Sequence, residues 1–371
     1  MPLLCPAKRQ KTTKGKGPTK GAVAATNGGG QMTNGGDQIT LDVDPLEEGT
    51  VAAKDGGCQM TRDVDPVEED TVDIIFNLMG AAAATGGIKA VAWLMGRHTS
   101  SANVQEKGCT VLSRLLAKAE HQVVATNGVI EAVVGAMEKH EASAGVQEKG
   151  CRALRNLTAN AENRAAVAAR GGIEAVLWAM GEHRASAGVQ AHGCRALRDL
   201  SANAQHQVAE KGGVEAVVRA MKAHKSSAGV QAHGCCALRK LAVYDQTRVA
   251  ETGGVEAVLG AMKAHTSSAG VQTQGCCALL NLTANAQNQA AVAAKGGITA
   301  VVRAMERHKA SAGVQAHGCV ALFSIAWADA LLQSQVRSAG ALPLVVEAVA
   351  AFPDQANLQE WGNLLLEKLG S

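Results

Sequence analysis

The chain has 371 residues, 47% of them hydrophobic and only 2% aromatic, with a formal charge of +3. A balance this near neutral names no partner class, and no run approaches the roughly 18 apolar residues of a membrane-crossing helix. With so few aromatics, any core must be built from Ala, Val, Leu, Ile, Met and Cys, small side chains that let helices approach closely.

The first 71 residues differ from the rest. The start, MPLLCPAKRQ, has no apolar h-region, so no secretory signal is expected. Residues 1–20 hold six Lys/Arg and no acids. Among them Lys8, Arg9 and Lys11 form a basic cluster of the kind that serves as a nuclear import signal, or only as a solubilising arm. Residues 37–73 carry twelve Asp/Glu against two Lys/Arg, a net −10, which leaves +7 on the remainder. The segment GGDQITLDVDPLEEGTV (35–51) is nearly duplicated as GGCQMTRDVDPVEEDTV (56–72). Gly, Asp and Glu with few large apolar residues predict a disordered low-complexity tail over 1–71, basic over 1–20 and acidic over 37–71. DVDP lacks the alternating ligands and central Gly of an EF-hand loop, so no calcium site is expected there.

From residue 72 onward the sequence repeats itself. VQxxGC appears as VQEKGC (104–109, 146–151), VQAHGC (189–194, 230–235, 314–319) and VQTQGC (271–276), with a degenerate LQEWGN at 358–363. Its Gly recurs every 41–44 residues. A second string precedes it: GGIKAV (86–91), GGIEAV (171–176), GGVEAV (212–217, 253–258) and GGITAV (296–301), with looser GVIEAV (128–133) and GALPLV (340–345). In 188–200, Val189, Gly193, Ala196, Leu197 and Leu200 share one helical face; in 171–180, Ile173, Val176, Leu177 and Met180 do the same. The GG pairs predict a break between a short first helix, such as 162–170, and a second. Ser101, Ser143, Ser186, Ser227, Ser268 and Ser311 each stand three residues before the repeated Val, placed to cap a third helix. Each unit is therefore a short, a medium and a long helix in about 42 residues. Seven units are expected, at approximately 72–119, 120–159, 160–203, 204–244, 245–286, 287–328 and 329–371, and no strand.

Several repeated residues invite chemistry. Six of the ten cysteines (Cys109, Cys151, Cys194, Cys235, Cys276, Cys319) occupy one repeat position. They read as core packing in a reducing compartment and lack the CxxC spacing of a zinc site. His98, His140, His183, His224, His265 and His308 all end second helices. Copies in adjacent layers stand about 8–10 Å apart, too far to share a zinc ion with ligands at about 2 Å. They read as polar residues favourable at a helix C-terminus. A mid-helix Gly costs about 1 kcal/mol relative to Ala, so the seven repeated Gly residues imply close helix contact. The Gln at 105, 147, 190, 231, 272, 315 and 359 is the same in every copy, and reads as a hydrogen-bonding residue between units. No nucleophile elbow, phosphate loop or HExxH motif appears, so catalytic residues, cofactor and metal are all expected to be none. The NLT sequons at Asn156 and Asn281 lie on predicted third helices, where glycosylation is not expected.

The two strings, in this order and spacing, resemble the armadillo family. The family's GGIPALV-like second helix matches GGIEAVL, and its VQEEALWALSNL-like third helix matches VQEKGCRALRNL (146–157). The resemblance covers roughly residues 72–371; HEAT repeats fit less well, because of the three-helix unit and the GG break. It implies an all-helical, right-handed superhelical solenoid whose third helices line a concave groove. The family's groove Trp falls on Thr110, Arg152, Arg195, Cys236, Cys277, Val320 and Leu364, so it is absent throughout. Its groove Asn falls on Arg114, Asn156, Asp199, Lys240, Asn281, Ser324 and Lys368, and survives at Asn156 and Asn281. Importin-alpha-type adaptors use both residue types to hold basic peptides, so that role is not supported.

What lines the expected groove is positive in the first four units: Arg114, Arg152, Arg155, Arg195, Arg198, Arg239 and Lys240 against Glu106, Glu148 and Asp199. Units five and six offer Cys277, Leu280, Val320 and Phe323. The bland alternative is a solvated face of i,i+4 pairs. The groove reading implies a non-catalytic scaffold or adaptor, cytoplasmic and/or nuclear, that binds an extended acidic-apolar segment of a protein partner. The chain's own acidic tail is a second candidate occupant. A nuclear transport adaptor and a nucleic-acid-binding solenoid are the alternatives; the latter is disfavoured by the lack of groove aromatics.

Overall fold

The computed structural model describes residues 77, 79–80, 87–117, 127–327 and 329–370. Lys8, Arg9, Lys11 and the acidic segment 37–71, with its possible fold-back, lie outside these residues. The described residues are helical throughout, with no strand among them. The helices are α1 (Ile88–Arg97), α2 (Ala102–Leu116), α3 (Asn127–Lys139), α4 (Ala144–Leu157), α5 (Ala161–Ala169), α6 (Gly172–Glu182), α7 (Ala187–Glu210), α8 (Gly213–Ala223), α9 (Ala228–Glu251), α10 (Gly254–Ala264), α11 (Ala269–Leu282), α12 (Ala286–Ala294), α13 (Gly297–Arg307), α14 (Ala312–Ile325), α15 (Ala330–Ser338), α16 (Ala341–Ala351) and α17 (Ala356–Leu369). The long third helices α2, α4, α7, α9, α11, α14 and α17 pack side by side, each on the next. The second helices α1, α3, α6, α8, α10, α13 and α16 pack in a parallel row against them. None of these helices is long and apolar enough to cross a membrane.

The first and second helices part where the sequence places GG. Gly171 adopts φ 77°, a left-handed conformation that favours glycine. Gly172 has a different reason: a Cβ there would lie 2.8 Å from the Val167 carbonyl oxygen and 2.3 Å from its Cγ1. The left-handed glycine recurs at 212, 253, 296 and 340. The third-to-first junction is less uniform than the expected three separate helices. In α7 and α9 the third helix of one unit runs into the first helix of the next, bent at Ala204 (φ −132°, ψ 40°) and Asp245 (φ −145°, ψ 85°). Elsewhere the same junction breaks, with Asn160, Asn285 or Asp329 capping a separate first helix.

The turn between second and third helices is built identically six times. Ser101, Ser143, Ser186, Ser227, Ser268 and Ser311 accept hydrogen bonds from the backbone N–H of Val104, Val146, Val189, Val230, Val271 and Val314, as helix N-caps do. The repeated glutamine acts at the same turn, which corrects the expectation that it joins neighbouring units. Gln190 Nε2 donates to the carbonyls of Met180 and His183, each at 3.0 Å, at the end of its own unit's second helix. Gln231 does the same to Met221 and His224, and Gln359 to Val349 and Phe352. The last carbonyls of an α-helix have no intrahelical partner, and a primary amide reaching back ten and seven residues supplies one.

Units are joined by histidine instead. The Nε2–H of His140, His183, His224, His265 and His308 donates to the carbonyl of Thr99, Glu141, Arg184, Lys225 and Thr266, at 2.7–2.8 Å. Each acceptor is the residue directly after the preceding unit's histidine. The row is thus a chain of links along one edge of the solenoid. Among the described residues, no group of three or more metal-binding side chains is positioned to hold an ion.

Close packing accounts for the repeated glycine. A Cβ on Gly193 would fall 2.5 Å from Met180 Sδ and 2.6 Å from its Cγ. The same pairing joins Gly108 to Met95, Gly150 to Met137, Gly234 to Met221, Gly275 to Met262 and Gly318 to Met305. Each methionine is at most 2% exposed. Replacing Gly193 by alanine should therefore destabilise the chain by about 1 kcal/mol net. Overpacking costs typically 1–3 kcal/mol and outweighs the gain of about 1 kcal/mol in helix propensity. Thermal unfolding followed by circular dichroism reads this, and a stabilised G193A would mean the methionine simply moves aside. The six repeated cysteines form a column of buried free thiols. Burial pushes Cys109, Cys194 and Cys319 up to about 12, and Cys151, Cys235 and Cys276 higher still, so all six are packing atoms rather than nucleophiles.

Candidate functional site

The third helices bury Val, Cys, Ala and Leu against the second-helix row. The positions two and five or six residues after each repeated Gly lie along the other side of the helix. Arg114 and Arg152 are exposed there; Arg155, Arg195, Arg198, Arg239 and Lys240 are half-buried, as are Leu280 and Asn281. Asn156 and Phe323 are buried. Asn156 and Asn281 already use their amide nitrogens to bind the neighbouring third helix. Asn156 Nδ2 donates to the Ser113 carbonyl at 2.7 Å, and Asn281 Nδ2 to the Arg239 carbonyl at 2.9 Å.

The centre of the positive stretch spans units two to four. Asp199 is its carboxylate, and Arg198 holds it at 2.6 Å. Burial leaves the Asp199 carboxyl above the usual range despite the pull of Arg198. Glu148 pairs with its neighbour Lys149 at 2.8 Å. Neither contact is the i,i+4 pairing that a solvated face would show. Arg155 stands at about 10, lowered first by burial and then by repulsion from Arg195, Arg152 and Arg198. Burial and Arg198 also lower Arg195. The Nε atoms of Arg155, Arg195 and Arg239 are buried without a hydrogen-bond partner.

Two histidines that sequence reading passed over complete the cluster. His192 Nδ1 lies 3.4 Å from Arg155 Nη1. His192 and His233 both stand at about 3, held down first by burial and then by the surrounding arginines, so each ring is neutral at physiological pH. The available signal was the change from VQEKGC to VQAHGC, which puts His192 and His233 where units one and two carry Lys107 and Lys149.

At the C-terminal end the same side of the third helices becomes aromatic. Phe323 packs against Trp327 with ring centroids 4.9 Å apart and against Trp361 at 5.4 Å. Lys368 Nζ lies 5.2 Å from the Trp327 ring centre. Trp327 is 54% exposed, which leaves an accessible apolar face in a chain with few aromatics. Trp327 and Trp361 were also missed, because one follows its third helix and the other sits in the degenerate LQEWGN copy. A separate furrow of about 1010 Å³ lies on the second helices α10 and α13, crossed by the Lys295–Glu256 ion pair at 3.1 Å.

Comparison with known proteins agrees with this architecture. The family described as LRRK2 ARM repeat matches residues 199–326. An engineered protein of solved structure is similar at a TM-score of 0.66 and 20% identity, over 83% of this chain and 76% of that one. A designed armadillo repeat protein is similar at a TM-score of 0.53 and 15% identity, over 70% of this chain and 98% of that one. Another designed armadillo repeat protein, solved in complex with the peptide (KR)4, gives a TM-score of 0.55 and 16% identity, over 65% and 99%. No curated protein matches the sequence significantly. The chain has the fold of an armadillo-type helical-repeat solenoid, and the likeness to these structures is one of fold.

Proposed function

We propose that the chain is a non-catalytic binding scaffold whose third-helix wall holds an extended acidic-apolar segment of a protein partner. The observation that carries this reading is the surplus of half-buried guanidinium groups over carboxylates in units two to four, followed along the same wall by an exposed aromatic face. A low-dielectric wall of one sign focuses its field on ligands of the other. Aromatic side chains are the usual anchors of peptide interfaces. The designed relative whose structure includes (KR)4 was solved with a basic peptide; the wall here carries the same sign as that peptide, so a segment held along it would have to be acidic. A transport-adaptor role would need the Trp positions that hold Arg152, Arg195 and Cys236 here. Nucleic-acid binding lacks a Phe, Tyr or Trp at the groove positions of units two to four, the exposed Trp178 lying on a second helix and Tyr244 beyond Arg239 on α9.

The test uses an eight-residue peptide of alternating Glu and Leu, its fluorescence polarisation read against the full chain. Changing Arg152, Arg195 and Arg239 together to Glu should weaken binding about tenfold or more at low salt. The difference should narrow at high salt, because exposed charges are screened over about 8 Å at physiological ionic strength. An unchanged affinity at low salt would place the site elsewhere.

A further inference from the structure

The arginine cluster has more structure than a generic positive face. Arg155 comes from α4, Arg195 and His192 from α7, and His233 and Arg239 from α9, so three successive units contribute to one region. Nε and an adjacent Nη form the edge with which an arginine grips an oxyanion through two parallel hydrogen bonds. On Arg155, Arg195 and Arg239 the Nε half of that edge is buried and unpartnered. A buried donor left without an acceptor costs free energy. Three of them at related positions on one wall, beside a carboxylate already held by Arg198, mark a place that lacks acceptor oxygens.

We propose that this cluster, centred on Arg155 and Arg195, is a phosphoryl-binding site that takes a phosphorylated serine or threonine of the partner segment. It rests on the acidic-segment reading and narrows it. A carboxylate has two oxygens and one charge, enough for one guanidinium edge. A phosphoryl group has three acceptor oxygens and a charge near −2 at pH 7. It can therefore bridge guanidinium edges from neighbouring helices and offset more of their mutual repulsion. That repulsion is present, since Arg152, Arg195 and Arg198 all act on Arg155. The neutral rings of His192 and His233 add N–H donors without adding like charge. Arg152, exposed at the rim, steers the anion inward. No Phe, Tyr or Trp stands among these residues to stack a base, which favours a phosphorylated protein over nucleic acid.

The full chain, labelled so that the arginine Nε–H signals are resolved by NMR, is titrated at pH 7.5 with N-acetyl-phosphoserine methylamide and separately with N-acetyl-glutamate methylamide. The phosphoserine probe should shift the Arg155 and Arg195 Nε–H signals most and bind at least about tenfold tighter than the glutamate probe. Arg195→Lys keeps the charge and removes the two-donor edge, and should cost about tenfold in phosphoserine affinity. Arg303→Lys on the second-helix row should change nothing. Equal affinity for the two probes would overturn the phosphoryl reading and leave the acidic-segment reading standing. Loss-free binding in R195K would overturn it too, as would no response to phosphoserine; the Glu-Leu peptide then decides the broader reading by itself.

Discussion

Replacing Gln190 by leucine is expected to lower the stability of the folded chain by about 1–3 kcal/mol. Leucine preserves most of the volume, so the loss comes chiefly from the Met180 carbonyl, which the amide now serves; the His183 carbonyl keeps the Ser186 N–H at 3.1 Å. Each buried acceptor left unpaired costs about 1–3 kcal/mol, and Gln190 is only 2% exposed, so water does not readily replace it. The donor end carries the effect: in Gln147 the amide oxygen is buried with no partner at all, while Nε2 bonds Met137 and His140. Gln190→Glu should be worse than Gln190→Leu, because a carboxylate points acceptors at acceptors. Chemical denaturation followed by circular dichroism measures both. A leucine variant as stable as the parent would show that the glutamine only fills space.

Acidification is expected to cost on the order of 2 kcal/mol for each of His192 and His233 between pH 7 and pH 5. In the folded chain both rings titrate near 3, whereas an unfolded histidine titrates near about 6.5. Between those values the unfolded chain binds more protons, so stability falls as pH falls. The contribution is complete above about 6.5 and drains away through the window below it. Asp199 works in the opposite sense at lower pH, since burial holds its carboxyl above the ordinary range. The comparison is therefore made between pH 7 and 5. His192→Gln with His233→Gln should flatten the pH dependence of the unfolding midpoint over that interval. A slope unchanged by the double substitution would mean that these rings are protonated in the folded chain.

Both predictions concern residues that the sequence displays openly but whose partners it hides. The repeat, the serine caps and the GG breaks were legible because each is a local rule: a cap three residues before a valine, a glycine where the backbone turns left-handed. The direction of the glutamine bond was not legible. An invariant polar residue in a repeat can face its own unit or the next with the same periodicity, and only the fold shows that Nε2 reaches back ten residues. The histidines had the converse problem. A helix-terminal position explains them locally, while their actual acceptors lie 40–42 residues earlier in the chain. The positive wall was visible as a list of arginines. The neutral His192 and His233 inside it were not, since their state depends on burial and on charges from neighbouring helices. Trp327 escaped because it follows its third helix, and Trp361 because it sits in the degenerate LQEWGN copy, at the position that holds His192 in VQAHGC.

The histidine links also give the solenoid an uneven stiffness. Along the edge where second helices end, five struts of nearly equal length fix the spacing of units one to six. The row stops at Phe352, where the sixth and seventh units are tied instead by the exposed Lys309–Glu347 ion pair at 2.7 Å. The other edge is irregular, with bends at Ala204 and Asp245 and asparagine-capped breaks at Asn160 and Asn285. The third-helix wall carries ties of its own, from Asn156 to the Ser113 carbonyl, from Asn281 to the Arg239 carbonyl and between the Thr283 and Ser324 hydroxyls at 2.8 Å. Stiffness therefore falls off toward the seventh unit, where the histidine strut gives way to an exposed ion pair that salt screens.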